Sequence, residues 1–286
     1  MDTINSLAVA VLDFARLTRD LPDADLEKPW AWRDYDDGVR FAFFRTYEDL
    51  RTLAVQLAAG RFAASSGITQ AQHILGQYHA GYRDLQAILI GWTADQLEQS
   101  PGAEEWSVRQ ALKHIVSAER NFYFMVHFAL LDARLGNAQP TEMTEAIWDE
   151  FWAGDPSQEL GETSTALELL AYYEILHRRV LDEFVTITDA ELEAPAVFWE
   201  DRPYPIRFRL HRFDSHLRQH TIQIEKTLVA LGMSPGEPRR LLRLVFAALS
   251  EVESAVLGSY ACAEEFRLLA DKIRLRNAEI ARALAG

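Results

Sequence analysis

The chain has a single cysteine, no long apolar run, few basic residues and almost no strand signal, and each lack narrows what it can be. One cysteine in 286 residues, Cys262, leaves no partner for an intrachain disulfide and no set of thiolates for a cysteine-based zinc site. It sits in the run Tyr260-Ala261-Cys262-Ala263-Glu264 with no activating base suggested beside it, and it reads as a small packed residue. No stretch reaches the roughly 18 uncharged apolar residues of a membrane span. The first 21 residues are amphipathic but interrupted by Asp2, Asp13, Arg16, Arg19 and Asp20, which argues against a signal peptide, so a cytoplasmic protein is expected. Lysine and arginine total 29 against 43 aspartates and glutamates, a formal charge of −14, and no basic tract occurs. A polyanion would be repelled by that average field, so neither nucleic acid nor membrane is an expected partner. Alternating β-branched residues are missing, and the one hairpin-like dipeptide, Asp37-Gly38, opens a helical pattern instead.

What is present is helical periodicity. Hydrophobic residues make up 49% of the chain and charged residues 25%, ordinary values for a globular protein. Ile4, Leu7, Val11, Phe14 and Leu17 form one stripe, and Phe43, Tyr47, Leu50, Leu53 and Leu57 another. Further helices fit 70–90, 107–133, 164–185, 205–231, 238–257 and 261–284. Ser107 precedes its run with Gln110 three positions on, the spacing of a capping box. The fold class expected is all-α.

A repeat organises the linkers. Asp23-Ala24-Asp25-Leu26-Glu27-Lys28-Pro29 returns as Asp189-Ala190-Glu191-Leu192-Glu193-Ala194-Pro195, and more loosely as Thr93-Ala94-Asp95-Gln96-Leu97-Glu98 with Pro101 following. Each copy precedes a tryptophan: Trp30, Trp199 and Trp106. The expected structure is a short helical turn whose leucine plugs the gap between two long helices. Beyond two of the linkers the match continues at a constant offset. Val39-Arg40-Phe41, Arg45 and Leu50-Arg51 parallel Ile206-Arg207-Phe208, Arg212 and Leu217-Arg218. Residues 1–60 therefore look like a degenerate copy of the helix pair at 164–231, with Asp49 and Leu53 where the second copy has His216 and His220.

Eight histidines are spread along the chain, and one pair is four apart, His216 and His220. That spacing sets two imidazoles on one helical face, able to reach one ion at about 2.0–2.1 Å. His211, five before His216, points about 140° away. A chance His-x-x-x-His is common enough that a third ligand is needed. His114 is the best candidate, because Ala111, Ser117 and Ala118 leave room around its ring and Asn121 extends the stripe. The bland alternative is two solvated or backbone-bonded histidines on a helix that also carries Arg212, Arg218 and Gln219. His73, His79, His127 and His177 read as surface or packing residues. The cluster Trp148, Phe151 and Trp152 reads as a short helix closing the core, or as a lid. Glu119, Asp214 and Glu225 flank the histidines and read as solvated helix acids.

These features resemble the DinB/YfiT-like superfamily of four-helix bundles assigned as metal-dependent enzymes. Glu105-Trp106-Ser107 opens a helix with His114 eight residues after the tryptophan, and His216-x-x-x-His220-x-x-Gln223 follows near the end of the bundle. Ile222 departs from the pattern, which usually has glycine there. The resemblance covers about 70–232 and implies that His114, His216 and His220 are the ligands of one divalent metal. Three neutral imidazoles suit zinc, nickel or iron and leave a position open for chemistry. Gln223, one turn beyond His220, is expected to orient ligand or water. Several relatives are similar to thiol S-transferases, so the resemblance implies a low-molecular-weight thiol as co-substrate attacking a small electrophile. A metal-water hydrolase of a small substrate and a non-catalytic helical scaffold or metal sensor are the alternatives. The expected division is an N-terminal helical extension (1–66), a DinB-like metal-binding four-helix bundle (67–234) and a C-terminal helical extension (235–286), the extensions packed on the bundle. Ser65-Ser66-Gly67 and Pro235, Gly236 and Pro238 mark the breaks. A homodimer is compatible with such a bundle.

Overall fold

A computed structural model describes residues 3–64, 67–137, 140–161, 163–197, 202–259 and 262–286, with side chains described from residue 6 onward. Ser65, Ser66, Trp199, Tyr260, Ala261 and the side chain of Ile4, all used in the sequence reading, lie outside the described residues. The helices are α1 (Thr3–Thr18), α2 (Gly38–Ala63), α3 (Gln70–Leu89), α4 (Ala94–Glu98), α5 (Val108–Leu135), α6 (Glu145–Phe151), α7 (Ala166–Phe184), α8 (Ile206–Ala230), α9 (Glu237–Ala255) and α10 (Ala263–Ala285). Short 3-10 turns fill Asp23–Glu27, Pro156–Glu159 and Glu191–Glu193, and one two-residue ribbon pairs β1 (Pro195–Ala196) with β2 (Tyr204–Pro205). The all-α class expected from periodicity is the class observed. None of the helices is long and apolar enough to cross a membrane.

By contacts the chain divides into two compact units. One comprises residues 68–81 and 93–233; the other comprises residues 1–67, 82–92 and 234–286. In the first, α5 packs along α7 and α8. The start of α3 joins them through Tyr78, whose ring meets those of Phe213 and His177. Gly81 lets α3 approach α8 closely, since a Cβ there would stand 3.3 Å from Leu217 and from the Asp214 carboxylate. The helices are well delimited. Ser107 and Thr165 each complete a capping box, and Gly136 ends α5 in the left-handed conformation at φ 70°. The cluster around α6 closes the core: Trp152 is buried and sits against Tyr123, Phe151 and the Arg120 guanidinium.

In the second unit, α2 packs along α9 and α1 along α10, around a core that includes Phe14, Phe43, Leu50, Phe246 and Ile273. The sequence reading treated the two ends as separate extensions. In the structure they close on each other, because the apolar stripes of α1 and α2 are completed by those of α9 and α10.

The repeat survives in three dimensions. Leu26, Leu97 and Leu192 are each fully buried, as plugs between helices should be, and each burial is worth about 1.5–3 kcal/mol. The Val39 N–H donates to Lys28 O at 3.0 Å, and the Ile206 N–H to Ala194 O at 2.9 Å. Arg40 binds Glu27 at 2.6 Å and Glu237 at 2.5 Å; Arg207 binds Glu193 at 2.6 Å and the Gln70 amide oxygen at 2.6 Å. Asp23 accepts from the Glu237 N–H at 3.0 Å, and Asp189 from the Gln70 N–H at 2.9 Å. Glu237 opens α9 and Gln70 opens α3, so α2 stands to α9 as α8 stands to α3. The two units repeat one construction with the helix order permuted along the chain.

Candidate metal centre

The α5–α8 pair carries the site, and the two helices run antiparallel. Thr227 near the end of α8 donates to the carbonyl of Trp106 just before α5, at 3.3 Å, while Phe122 further along α5 meets Phe213 near the start of α8. Ser107 fixes where α5 begins: its hydroxyl accepts from the Gln110 N–H at 3.2 Å, and Gln110 accepts from the Ser107 N–H at 2.8 Å. His114 then lies two turns in, opposite His216 and His220.

The three sequence-nominated histidines come together, with one potential ligand atom from each lying within 4.8 Å of the others. The Nε2 atoms of His114 and His216 are 3.1 Å apart, and the three ring centres are separated by 4.4–5.0 Å. His216 and His220 are each 6% exposed, and His114 is half-buried. Burial, reinforced by the charges His220, His114 and Arg212 would present, pushes the His216 pKa down to about 3. Burial, then His220, lowers that of His114. Bringing imidazoles this close favours the uncharged form, the form that offers a lone pair.

Gln223, expected to orient ligand or water, packs against one of the three rings. Its amide oxygen meets Nδ1 of His220 at 2.8 Å. An amide oxygen only accepts, so Nδ1 carries a proton, which leaves Nε2 as the ring nitrogen available to a ligand. By contrast, Nδ1 of His216 is buried without a hydrogen-bond partner. Ile222, which stands where the resembling pattern has glycine, is 58% exposed and leaves the helix packing beside the histidines untouched.

The surroundings leave access to the rings. Ala111 is buried, Ser117 is exposed, and Ala118 and Asn121 are half-buried, so no bulky neighbour on this face of α5 covers His114. Trp106 is 39% exposed, with its indole 5.3 Å from the His114 ring and stacked at 17° on His220. Phe122 meets His216 edge-on at 5.5 Å. Trp106 belongs to the motif that opens α5 beside the capping serine, whereas no spacing in the sequence points to Phe122.

The remaining candidates separate from this centre. His73 and His211 are exposed. His79 and His177 are buried and face each other, Nδ1 to Nε2, at 2.9 Å. His127 binds Glu183 at 2.6 Å. Asp214 pairs with Arg218. Glu119 is not a solvated acid: it is fully buried, and the hydroxyls of Tyr78 and Tyr173 bind its two oxygens. Burial pushes its pKa up to about 8 against both of those bonds, so the group is a neutral acid at pH 7. Cys262 is half-buried and burial, with Glu265 nearby, raises its pKa, which suits packing rather than nucleophilic work. At the position matching His216, Asp49 is clasped by Arg276 and Lys272, each at 2.7 Å, and by Arg45 at 2.8 Å. The degenerate copy thus holds an ion-pair cluster in place of the histidines.

No curated protein and no solved structure matches the chain. The family model described as the DinB superfamily matches residues 77–224, a span that takes in His114, His216, His220 and Gln223. That match covers just over half of the sequence, and the chain belongs to the DinB superfamily.

Proposed function

We propose that His114, His216 and His220 hold one divalent metal ion and that the site serves a metal-dependent reaction on a small molecule, with transfer of a low-molecular-weight thiol to an electrophile as the favoured class. The observation that carries the metal reading is the convergence of three imidazoles, two of them with Nε2 atoms 3.1 Å apart. Crowding three imidazoles this closely does little for stability, and the buried Nδ1 of His216, without a partner among the described residues, costs about 1–3 kcal/mol. Three histidine ligands would leave the ion's full charge and at least one position open, as reactive rather than structural sites do. A bound ion of this kind supplies Lewis acidity and lowers the pKa of a coordinated thiol or water. Imidazole-only donors suit zinc, nickel or iron.

The chain's own residues supply the rest. Gln223 fixes the tautomer and orientation of His220. Trp106 walls one side of the site and Phe122 backs His216, keeping the rings partly out of water. The small residues on α5 leave His114 reachable by a substrate, which supports an enzyme over a scaffold that would fill the space. The choice of thiol transfer over hydrolysis rests on similarity to relatives within the superfamily.

The test is elemental analysis of tag-free protein purified without added metal, beside a His114/His216/His220 triple-alanine variant and His220→Ala alone. About one zinc, nickel or iron per chain is expected in the wild type, lost in the triple variant and weakened at least tenfold in His220→Ala. Stoichiometric metal retained by His220→Ala would count strongly against the assignment. Thiol-transfer and ester- or amide-hydrolysis assays with the native metal then separate the two reaction classes.

A further inference from the structure

The α8 face that carries His216 continues to Arg212, and Phe122 of α5 meets both residues. Arg212 lies one turn before His216 and two before His220, on the same face of α8. Its guanidinium is 6.0 Å from the ring centre of Phe122, the residue that meets His216 edge-on. Its hydrogen bond is to a neutral group, the Ser215 hydroxyl, at 3.3 Å. Among the described residues no carboxylate lies within ion-pairing reach of it. The contrast with its neighbours is sharp: on the same helix Arg207 pairs with Glu193 and Arg218 with Asp214. In a chain with 43 acidic and 29 basic residues, acids are plentiful enough to neutralise every arginine. The nearby acid on α5, Glu119, is fully buried and held by Tyr78 and Tyr173. Arg212 is half-buried, and with the Ser215 hydroxyl taking one of its five planar donors the others remain for water or a ligand.

We infer that the small molecule engaging the three-histidine site carries a carboxylate, which Arg212 grips while the other end of the molecule reaches His114, His216 and His220. The inference rests on the proposed metal site and adds the charge of its ligand. A planar guanidinium matches a carboxylate with two parallel donors, and one helical turn, about 5.4 Å, separates Arg212 from His216, a span that one small molecule covers. Arg212 acts here as a specificity-determining residue, with no part in holding the ion.

The experiment uses the full-length protein loaded with cobalt(II), whose thiolate-to-metal absorption band reports thiol binding directly. Three probes share a two-carbon thiol and carry a negative, neutral or positive far end, and are compared at equal thiolate concentration: 3-mercaptopropionate, 2-mercaptoethanol and cysteamine. The wild type is expected to bind 3-mercaptopropionate about tenfold more tightly than 2-mercaptoethanol, and cysteamine most weakly. Arg212→Gln should bind cobalt and 2-mercaptoethanol as the wild type does while losing the tenfold preference. Arg212→Lys should keep part of it, because the charge remains and the bidentate geometry does not. Cobalt bound with no charge preference in the wild type, or a preference undiminished in Arg212→Gln, overturns this inference and leaves the metal site standing. Wild-type protein that takes up no cobalt overturns both.

Discussion

Glu119 shows how a single buried acid sets a pH dependence. Its carboxyl is sealed among α3, α5 and α7, bonded to Tyr78 and Tyr173, with burial raising its pKa to about 8. A carboxyl whose folded-state pKa is raised stabilises the fold below its ordinary value near 4.5, and that contribution is lost as pH rises through about 8. Glu119→Gln keeps a donor and an acceptor but does not titrate. Denaturant unfolding at pH 5, 6, 7 and 8 should therefore show the wild type losing stability relative to the variant by about 1.4 kcal/mol per pH unit. Parallel stability curves would mean the acid is ionised in the fold. The periodicity of the sequence could not reveal this, because α5 is buried on more than one face and Glu119 lies on the face turned to the tyrosines, away from His114. The same limit applies to Arg212: in the sequence it is one of several arginines on its helix, and only the absence of an acidic partner among the described residues distinguishes it from Arg207 and Arg218.

Helix ends decide where the ligands stand. The register of His114 against His216 follows from the capping box at Ser107 and from Thr227 holding the carbonyl of Trp106. Ser107→Ala should cost about 1 kcal/mol of stability by removing the cap. It should also weaken metal binding, because the first two turns of α5 carry His114. Chemical denaturation and metal competition with a chelator check the two effects separately; an unchanged metal affinity would mean that packing alone places His114. The His-x-x-x-His pair was legible because the helical period places it, and the capping box because its three-residue spacing is local. The third ligand was less so, since the pairing of α5 with α8 depends on residues a hundred positions apart. The resemblance to the superfamily supplied that pairing before the structure did.

At the scale of the molecule, the two ends of the chain build one unit together. Residues 1–67 and 234–286 share a core that includes Phe14, Phe43, Phe246 and Ile273. A chain ending at Met233 leaves α1 and α2 without α9 and α10, exposing the stripes that hold Phe14, Phe43 and Leu50. Limited trypsin digestion should then cut rapidly at Arg40, Arg45, Arg51 and Arg61, all inside a helix of the intact protein. Equal resistance in the truncated and full chains would mean the first two helices are supported from elsewhere. The linker repeat gave notice of the duplication, but only the paired contacts of Arg40 and Arg207, and of Asp23 and Asp189, show that α9 answers to α3.

The sequence by itself determined the helical class, the positions of the long helices, the plugging leucines of the linkers and the face shared by His216 and His220, because each depends on spacing within a few turns of chain. Tertiary structure alone decided that the Gln223 amide fixes the His220 ring, that Glu119 is sealed among tyrosines, that Arg212 has no carboxylate partner among the described residues and that the chain ends form one core. Those depend on which distant helices meet and at what register, and the energies that choose between such pairings come from burial summed over whole helix faces, which no local pattern encodes.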